Sequence, residues 1–332
     1  DTLRPQRQNL TMEFDLSEIT APFRMQPGLS KMAPDARHTR LLEPDSTLFH
    51  EKLSVLCTHP DQALLQVAQF DTRPALHVLA QQLAVEWPQA CTFADDILNL
   101  PTLGLQLNLQ SLDVQVTAQC VVSDCVLALS HPQRIWAALS LFLQDDLAVL
   151  DGTSTQLKML AVCVPSHWSP EEKIGLPLAA VHAPVADNAL LLQASQSLAK
   201  LVTSPGPARW QRFVWTLQPS GQYDGHPKRA LPRHWPDQAE ALGEQLWLRV
   251  EHQSFIVASA CQQAVFTIRV MLEPLGTLIT DQAQAARLHA AVSSMSDSVV
   301  AYRSLGGIRP LVLHWLERRM QGQTGLSGNT LD

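Results

Sequence analysis

Apolar positions along the chain fall into two periods, helical and extended. From 133 to 150 (QRIWAALSLFLQDDLAVL), Trp136, Leu139, Leu143, Leu147 and Leu150 recur at three- and four-residue spacing, which predicts a long amphipathic helix. Similar spacing predicts helices over 45–58, capped near Asp45, over 74–87, ended by Pro88, and over 187–202, 279–294 and 309–321. Between 104 and 129 the period changes. Leu105, Leu107 and Leu109 alternate with polar residues, then Leu112, Val114 and Val116 alternate in the opposite phase, which predicts a bulge or a bent strand pair. Further strands are expected at Met159–Val164, 210–218, 245–255 and 263–272. In the third of these, Trp247, Arg249, Glu251 and Gln253 share one face, while Leu246, Leu248 and Val250 share the other. Consecutive strands without intervening helices favour an antiparallel sheet over βαβ crossovers, so the predicted class is α+β. Residues 1–44, rich in Pro, Arg and Gln, read as an extended arm around a single domain at 45–325.

Composition narrows the function. The chain has 332 residues, 46% of them hydrophobic and 17% charged, which is enough apolar surface for a sizeable core. A net charge of -7 gives no general attraction to phosphate backbones, so no nucleic-acid partner is expected. The short basic clusters, Lys228, Arg229 and Arg233, then Arg318 and Arg319, read as solvated surface. No run of eighteen apolar residues suggests a membrane span, and DTLRPQRQNLTMEFDL has no apolar signal region. The six cysteines lack CxxC spacing, and most have the apolar or small neighbours typical of buried free thiols. That pattern points to a reducing, cytoplasmic setting.

Motifs for common chemistries are missing. There is no GxGxxG after a strand, no GxxxxGK[ST], no HExxH, no GxSxG, no CxxCH and no zinc spacing of cysteines. One segment stands out at 141–185: LFLQDDLAVLDGTSTQLKMLAVCVPSHWSPEEKIGLPLAAVHAPV. It carries Asp145-Asp146, an apolar strand to Val164, Pro165-Ser166, Trp168, Pro170, Lys173, Gly175 and His182-Ala183-Pro184-Val185. It resembles the heme-dependent oxidative N-demethylase family, and weaker likeness continues through RWQRFVWTL (209–217), LRVEHQ (248–253), VFTIR (265–269) and AYRSL (301–305). The resemblance implies a PAS-like sheet holding heme b. It implies oxygen-dependent removal of a methyl group from a small secondary amine such as dimethylamine. Partner reductase subunits would bring electrons from NADPH through FMN and an iron–sulfur cluster. The chain departs from the family pattern at Glu251-His252-Gln253, where Arg is usual in the middle, and at Val257–Cys261, where a Leu-Pro-x-(Ser/Thr)-Gly turn is usual.

Candidate site residues follow. His182 lies between an apolar run and Pro184. Spacing alone suits a core histidine bonded to a carbonyl, and the resemblance makes it the candidate axial ligand of the iron. His167 and His252 stand in reserve, while His131, His226 and His234 adjoin loop signals and read as surface. Arg209, Arg212 and Arg249 are candidates for heme propionates, against ordinary ion pairs on the sheet. Glu251 is the candidate partner of a protonated amine, against a structural pairing with Arg249 or Arg269. Asp145 and Asp146 read by default as a solvated helix face, and Trp168 and Trp215 as packing or the walls of a cofactor slot. Lys173 reads as exposed and Gly175 as a backbone requirement. Two rival functions remain: a heme-based gas or redox sensor, and a non-catalytic scaffold subunit.

Overall fold

The computed structural model describes residues 14–206 and 208–322. Its strands are β1 (Ser30–Lys31), β2 (Leu64–Gln66), β3 (Thr92–Ala94), β4 (Ile97–Leu100), β5 (Leu105–Asn108), β6 (Val114–Val116), β7 (Asp146–Asp151), β8 (Gln156–Ala161), β9 (Trp210–Gln218), β10 (Trp247–Ala258) and β11 (Gln263–Pro274). Seven of them form one sheet in the order β1-β9-β10-β11-β7-β8-β2. Every described pairing in it is antiparallel, so the class is α+β. β3 to β6 form a separate four-stranded sheet.

The centre of the large sheet is the β10–β11 hairpin, paired from Trp247↔Pro274 to Ala258↔Gln263. β9 lies against its outer side with Glu251 opposite Val214 and Gln253 opposite Arg212. Side chains alternate across a strand, so Arg212, Val214, Thr216, Arg249, Glu251, Gln253 and Phe255 share one face, called here the cleft face. Gln211, Phe213, Trp215, His252 and Ser254 point to the back. β8 and β9 lie toward opposite edges of the sheet, so the connection 162–209 must cross it. It crosses on the cleft face. There the helix Ala189–Thr203 buries Leu198, Ala199 and Val202 against Ala148, Leu150, Leu160 and Phe255.

The back face is covered twice. The helices Gln282–Ser293, Asp297–Tyr302 and Arg309–Met320 pack Leu288, Val292, Val299, Val312 and Leu316 with Trp215, Leu217, Leu248 and Val250. The helices Thr47–Thr58, Arg73–Glu86 and His131–Phe142 pack a larger cluster with Leu147, Val149, Ile256 and Val265. Phe14, Leu16 and Ile19 are buried in the first of these clusters, and β1 pairs with β9 at Ser30↔Gln211. Residues 1–13 of the expected arm lie outside the described residues.

Several sequence expectations change. The helix expected over 133–150 ends at Phe142, and β7 begins at Asp146. Leu147, Val149 and Leu150 are all buried because β7 is covered on both faces, and such a strand carries no alternation to distinguish it from a helix. Asp145 and Asp146 are therefore not a solvated helix face. They are buried, Asp145 against Arg269 at 3.4 Å and Asp146 against Lys52 at 3.1 Å. The phase slip after Leu109 is a hairpin between β5 and β6, with Leu112 in the left-handed region at φ 65°. The short helices Val121–Ala128 and Asp297–Tyr302 were not anticipated. Nor are all the cysteines free. Cys57 and Cys125 form a disulfide between two helices, and Cys261 is exposed. Apolar neighbours do not separate a buried thiol from a half-cystine.

Candidate functional site

The connection that crosses the cleft face supplies the site's upper wall. Val164 ends the apolar run, and Pro165 turns the chain so that Ser166, His167 and Trp168 lie beside β10. His167 is in the left-handed region at φ 65°, a conformation that costs a non-glycine residue about 1–3 kcal/mol. Gly175, at φ 76°, turns the chain again, which accords with reading it as a backbone requirement. The short helix Leu178–His182 follows, with His182 as its last residue. Its position is fixed by backbone contacts. Asn188 Nδ2 donates to the carbonyls of His182 (3.3 Å) and Ala183 (2.7 Å), and Lys173 Nζ donates to that of Val181 (3.3 Å). Lys173 is thus half-buried rather than exposed.

Beneath this wall, Glu251 rises from the cleft face of β10. Its Oε1 accepts from the Ser166 hydroxyl, and its Oε2 accepts from Gln253 Nε2 at 2.6 Å. Arg249, two residues earlier and 1% exposed, donates Nε–H to Ser166 Oγ (2.6 Å), Nη1–H to the Tyr223 carbonyl (2.8 Å) and Nη2–H to the Val164 carbonyl (2.8 Å). The guanidinium fastens the 164–166 turn to the sheet, with Nη1 also 3.4 Å from Gln218 Oε1.

The other two arginines separate as clearly. Arg209 donates to the carbonyls of Ala33, Pro34 and Ala36, at 2.5–2.8 Å, and so holds the N-terminal segment. Arg212, on β9, is different. Its side chain is half-buried, and its Nε is buried with no hydrogen-bond partner. Burial pulls its guanidinium down to about 10, against the opposing field of Glu251.

His182 Nδ1 is likewise buried without a partner. Burial pushes the imidazole down to about 4, and the charges of Arg212 and then Lys173 add to the effect. At neutral pH the ring is uncharged and keeps a lone pair for a metal. Trp168, Leu178, Val181 and Trp210 are partly buried against the cluster of Leu150, Leu160, Leu198 and Phe255. Arg212 and Glu251 share one face of the sheet, Arg212 is a charge neighbour of both Glu251 and His182, and His182 Nδ1 and Arg212 Nε are the orphaned polar atoms there. Native structures satisfy nearly all buried polar atoms, so such a pair calls for an explanation.

His167 is half-buried, and both of its ring nitrogens are buried without a hydrogen-bond partner. Burial, then the charges of Arg233 and Arg249, pushes it down to about 3. His252 points to the back face, where it stacks on Phe213 at 4.8 Å and meets Gln211 Oε1 at 2.9 Å. Trp215 is buried in the cluster under the C-terminal helices, so it packs there and walls no slot. His226 is not at the surface: it is buried, with Nε2 2.9 Å from Glu171 Oε2 and 3.2 Å from Ser169 Oγ. His131 and His234 are exposed. A surface cleft of about 410 Å³ lined by Phe14, Leu16, Glu273 and Arg287 shares no residue with the His182–Glu251 face.

Two further side chains take part, Ser166 and Gln253. Ser166 lay inside the strongest motif but carries no charge or ligand chemistry of its own. Gln253 lies two residues beyond Glu251, and strand alternation alone places it on the same face. A sequence match to the family described as haem-dependent oxidative N-demethylase, alpha subunit-like, covers residues 40–313, and the chain belongs to that family. Its departure from the usual Glu-Arg-Gln falls at His252, on the face away from Glu251. The altered turn at 257–261 leaves the hairpin paired to its end.

Proposed function

We propose that this chain is the heme-binding catalytic subunit of an oxidative N-demethylase acting on a small secondary amine, dimethylamine-like in size and charge. The observation that carries the proposal is the pair of buried, unpartnered atoms His182 Nδ1 and Arg212 Nε beside Glu251. These residues fit a heme. A neutral imidazole suits the iron, a guanidinium suits a propionate, and Trp168, Leu178 and Val181 suit an apolar macrocycle. His182 would hold the iron through its imidazole and Arg212 would pair with a propionate. Heme b, when bound, supplies the oxygen chemistry that converts a methyl group of the amine to formaldehyde.

The protein's own part is placement. Glu251 offers carboxylate oxygens to the N–H groups of a protonated amine, and the surrounding apolar side chains limit water. In the large sheet the last strand, β11, inserts beside β7, which supports the PAS-like reading. No nucleotide or iron–sulfur motif occurs in the sequence, which accords with separate reductase subunits carrying NADPH, FMN and an iron–sulfur cluster. No helix among the described residues is long and apolar enough to cross a membrane.

The first test is the absorption spectrum of the purified protein, oxidised and dithionite-reduced, beside His182→Ala. The expected result is a Soret band in the parent that is lost or strongly shifted in the variant. Dimethylamine-dependent oxygen consumption with a supplied reductant is expected next. A Soret band without amine turnover would favour a sensor. No band after hemin supplementation would leave a scaffold subunit.

A further inference from the structure

Glu251 does not stand alone on this face. Its orientation is set by a relay that begins in the core. Lys52 and Asp146, both fully buried, pair at 3.1 Å, and Asp146 Oδ2 accepts the Val164 N–H at 2.9 Å. The Val164 carbonyl accepts Arg249 Nη2–H at 2.8 Å, and Arg249 Nε–H donates to Ser166 Oγ at 2.6 Å. Ser166 in turn meets Glu251 Oε1.

The last two links have a fixed direction. A guanidinium can only donate, so Ser166 Oγ is an acceptor toward Arg249. A serine hydroxyl has one proton, and with the arginine occupying a lone pair that proton is directed to the neighbouring carboxylate oxygen. Gln253 Nε2 donates to the other oxygen at 2.6 Å. Ser166 and Gln253 thus hold one carboxylate oxygen each. The carboxylate lone pairs not used by Ser166 and Gln253 remain for N–H donors.

We infer that Ser166, aligned by the buried Arg249, is a positioning residue that orients the carboxylate oxygens of Glu251 toward the N–H groups of a protonated amine. The inference rests on the proposed amine-binding reading of the cleft and adds the residue that sets its preference for a cation. Ser166 acts through Glu251, so its loss is expected to weaken amine binding more than the turnover of bound amine. Loss of the hydroxyl is expected to weaken amine binding about tenfold or more.

The test is titration of dimethylammonium chloride, followed by calorimetry, into the purified heme-loaded protein, its Glu251→Gln variant, Ser166→Ala and Ser166→Thr. Dimethyl ether serves as a neutral ligand of similar shape. The expected result is that Ser166→Ala weakens the ammonium about tenfold or more, leaves the ether little changed and leaves the melting temperature within a few degrees of the parent. Ser166→Thr, which keeps the hydroxyl, is expected to restore most of the affinity. In turnover, KM is expected to rise in Ser166→Ala while kcat changes less. If the parent and Glu251→Gln bind the ammonium equally, or neither binds it, the amine-site reading fails. If Glu251→Gln loses binding and Ser166→Ala does not, the amine site stands and the role of Ser166 is overturned. Equal losses for ammonium and ether in Ser166→Ala would also overturn it, since a collapsed cleft would not discriminate by charge.

Discussion

Arg209, Arg212 and Arg249 look equivalent in the sequence, and their surroundings give them three different tasks. Arg249 is buried and fastened to the Val164 and Tyr223 carbonyls. Replacing it with Met would leave both acceptors and Ser166 without their donor, and each buried unsatisfied group costs about 1–3 kcal/mol. Arg249→Met is therefore expected to lower unfolding free energy by about 3 kcal/mol or more, measured by urea denaturation. A loss under about 1 kcal/mol would show that the turn holds without it. Arg212 has no partner at Nε to lose. Arg212→Ala is expected to change stability by less than about 1 kcal/mol, yet to weaken hemin binding to the apoprotein about tenfold. The contrast separates a structural from a cofactor-binding arginine, which residue type alone cannot do. Neighbourhood also decides the histidines. His182 and His226 both follow apolar or loop signals, but only His226 finds carboxylate and hydroxyl partners at Nε2.

Elements differ in how far the sequence discloses them. β9, β10 and β11 were legible because each has one face covered differently from the other, and their alternation placed Arg249, Glu251 and Gln253 together before any coordinates. β7 was not legible. It is apolar throughout, and its leucines continue the spacing of the preceding helix. The burial of Asp145 and Asp146 depends on Arg269 and Lys52, which are distant in sequence, so no local pattern announces it. The disulfide was hidden for the same reason: Cys57 and Cys125 are 68 residues apart and meet only when the helices Thr47–Thr58 and Val121–Ala128 pack. Closing a loop of that length restricts the unfolded chain by up to about 4 kcal/mol in the chain-entropy account. The double variant Cys57→Ser, Cys125→Ser is expected to melt at a lower temperature than the oxidised parent. Alkylation of the denatured, unreduced parent followed by mass spectrometry is expected to label four cysteines and not six. Six labelled thiols would show that the pair is open in solution.

At the scale of the whole molecule, a layer of buried polar groups on the back of the sheet joins the N-terminal segment to the body. The His38 and Thr39 amides donate to Glu86, at 2.7 and 3.1 Å, and the Arg40 amide donates to Asp145 at 2.9 Å. His38 Nδ1 meets Ser254 Oγ at 2.9 Å, and His252 lies close by over Phe213. Burial pushes His38 down to about 4, with Arg209 adding to the shift and Glu86 opposing it. Burial, then the charges of Arg269 and His38, pushes His252 down to about 3. Both rings are folded as neutral imidazoles. The unfolded chain takes up these protons near pH 6.5, well before the folded chain does, so the stability they confer is complete above that pH. It is lost as the pH falls from 6.5 toward 4 for His38 and toward 3 for His252, at up to about 1.4 kcal/mol per pH unit for each ring. His252→Phe keeps an aromatic ring against Phe213 and removes one titration. Its absolute stability at neutral pH falls with the loss of the Gln211 contact, so the readout is the slope. Between about pH 6.5 and 4.5 the parent is expected to lose about 2–3 kcal/mol more than the variant, measured by urea denaturation across the range. Parallel slopes would mean that His252 reaches solvent before the chain unfolds. The back face would then open separately from the cleft face, and the two sides of the sheet would not unfold as one cooperative unit.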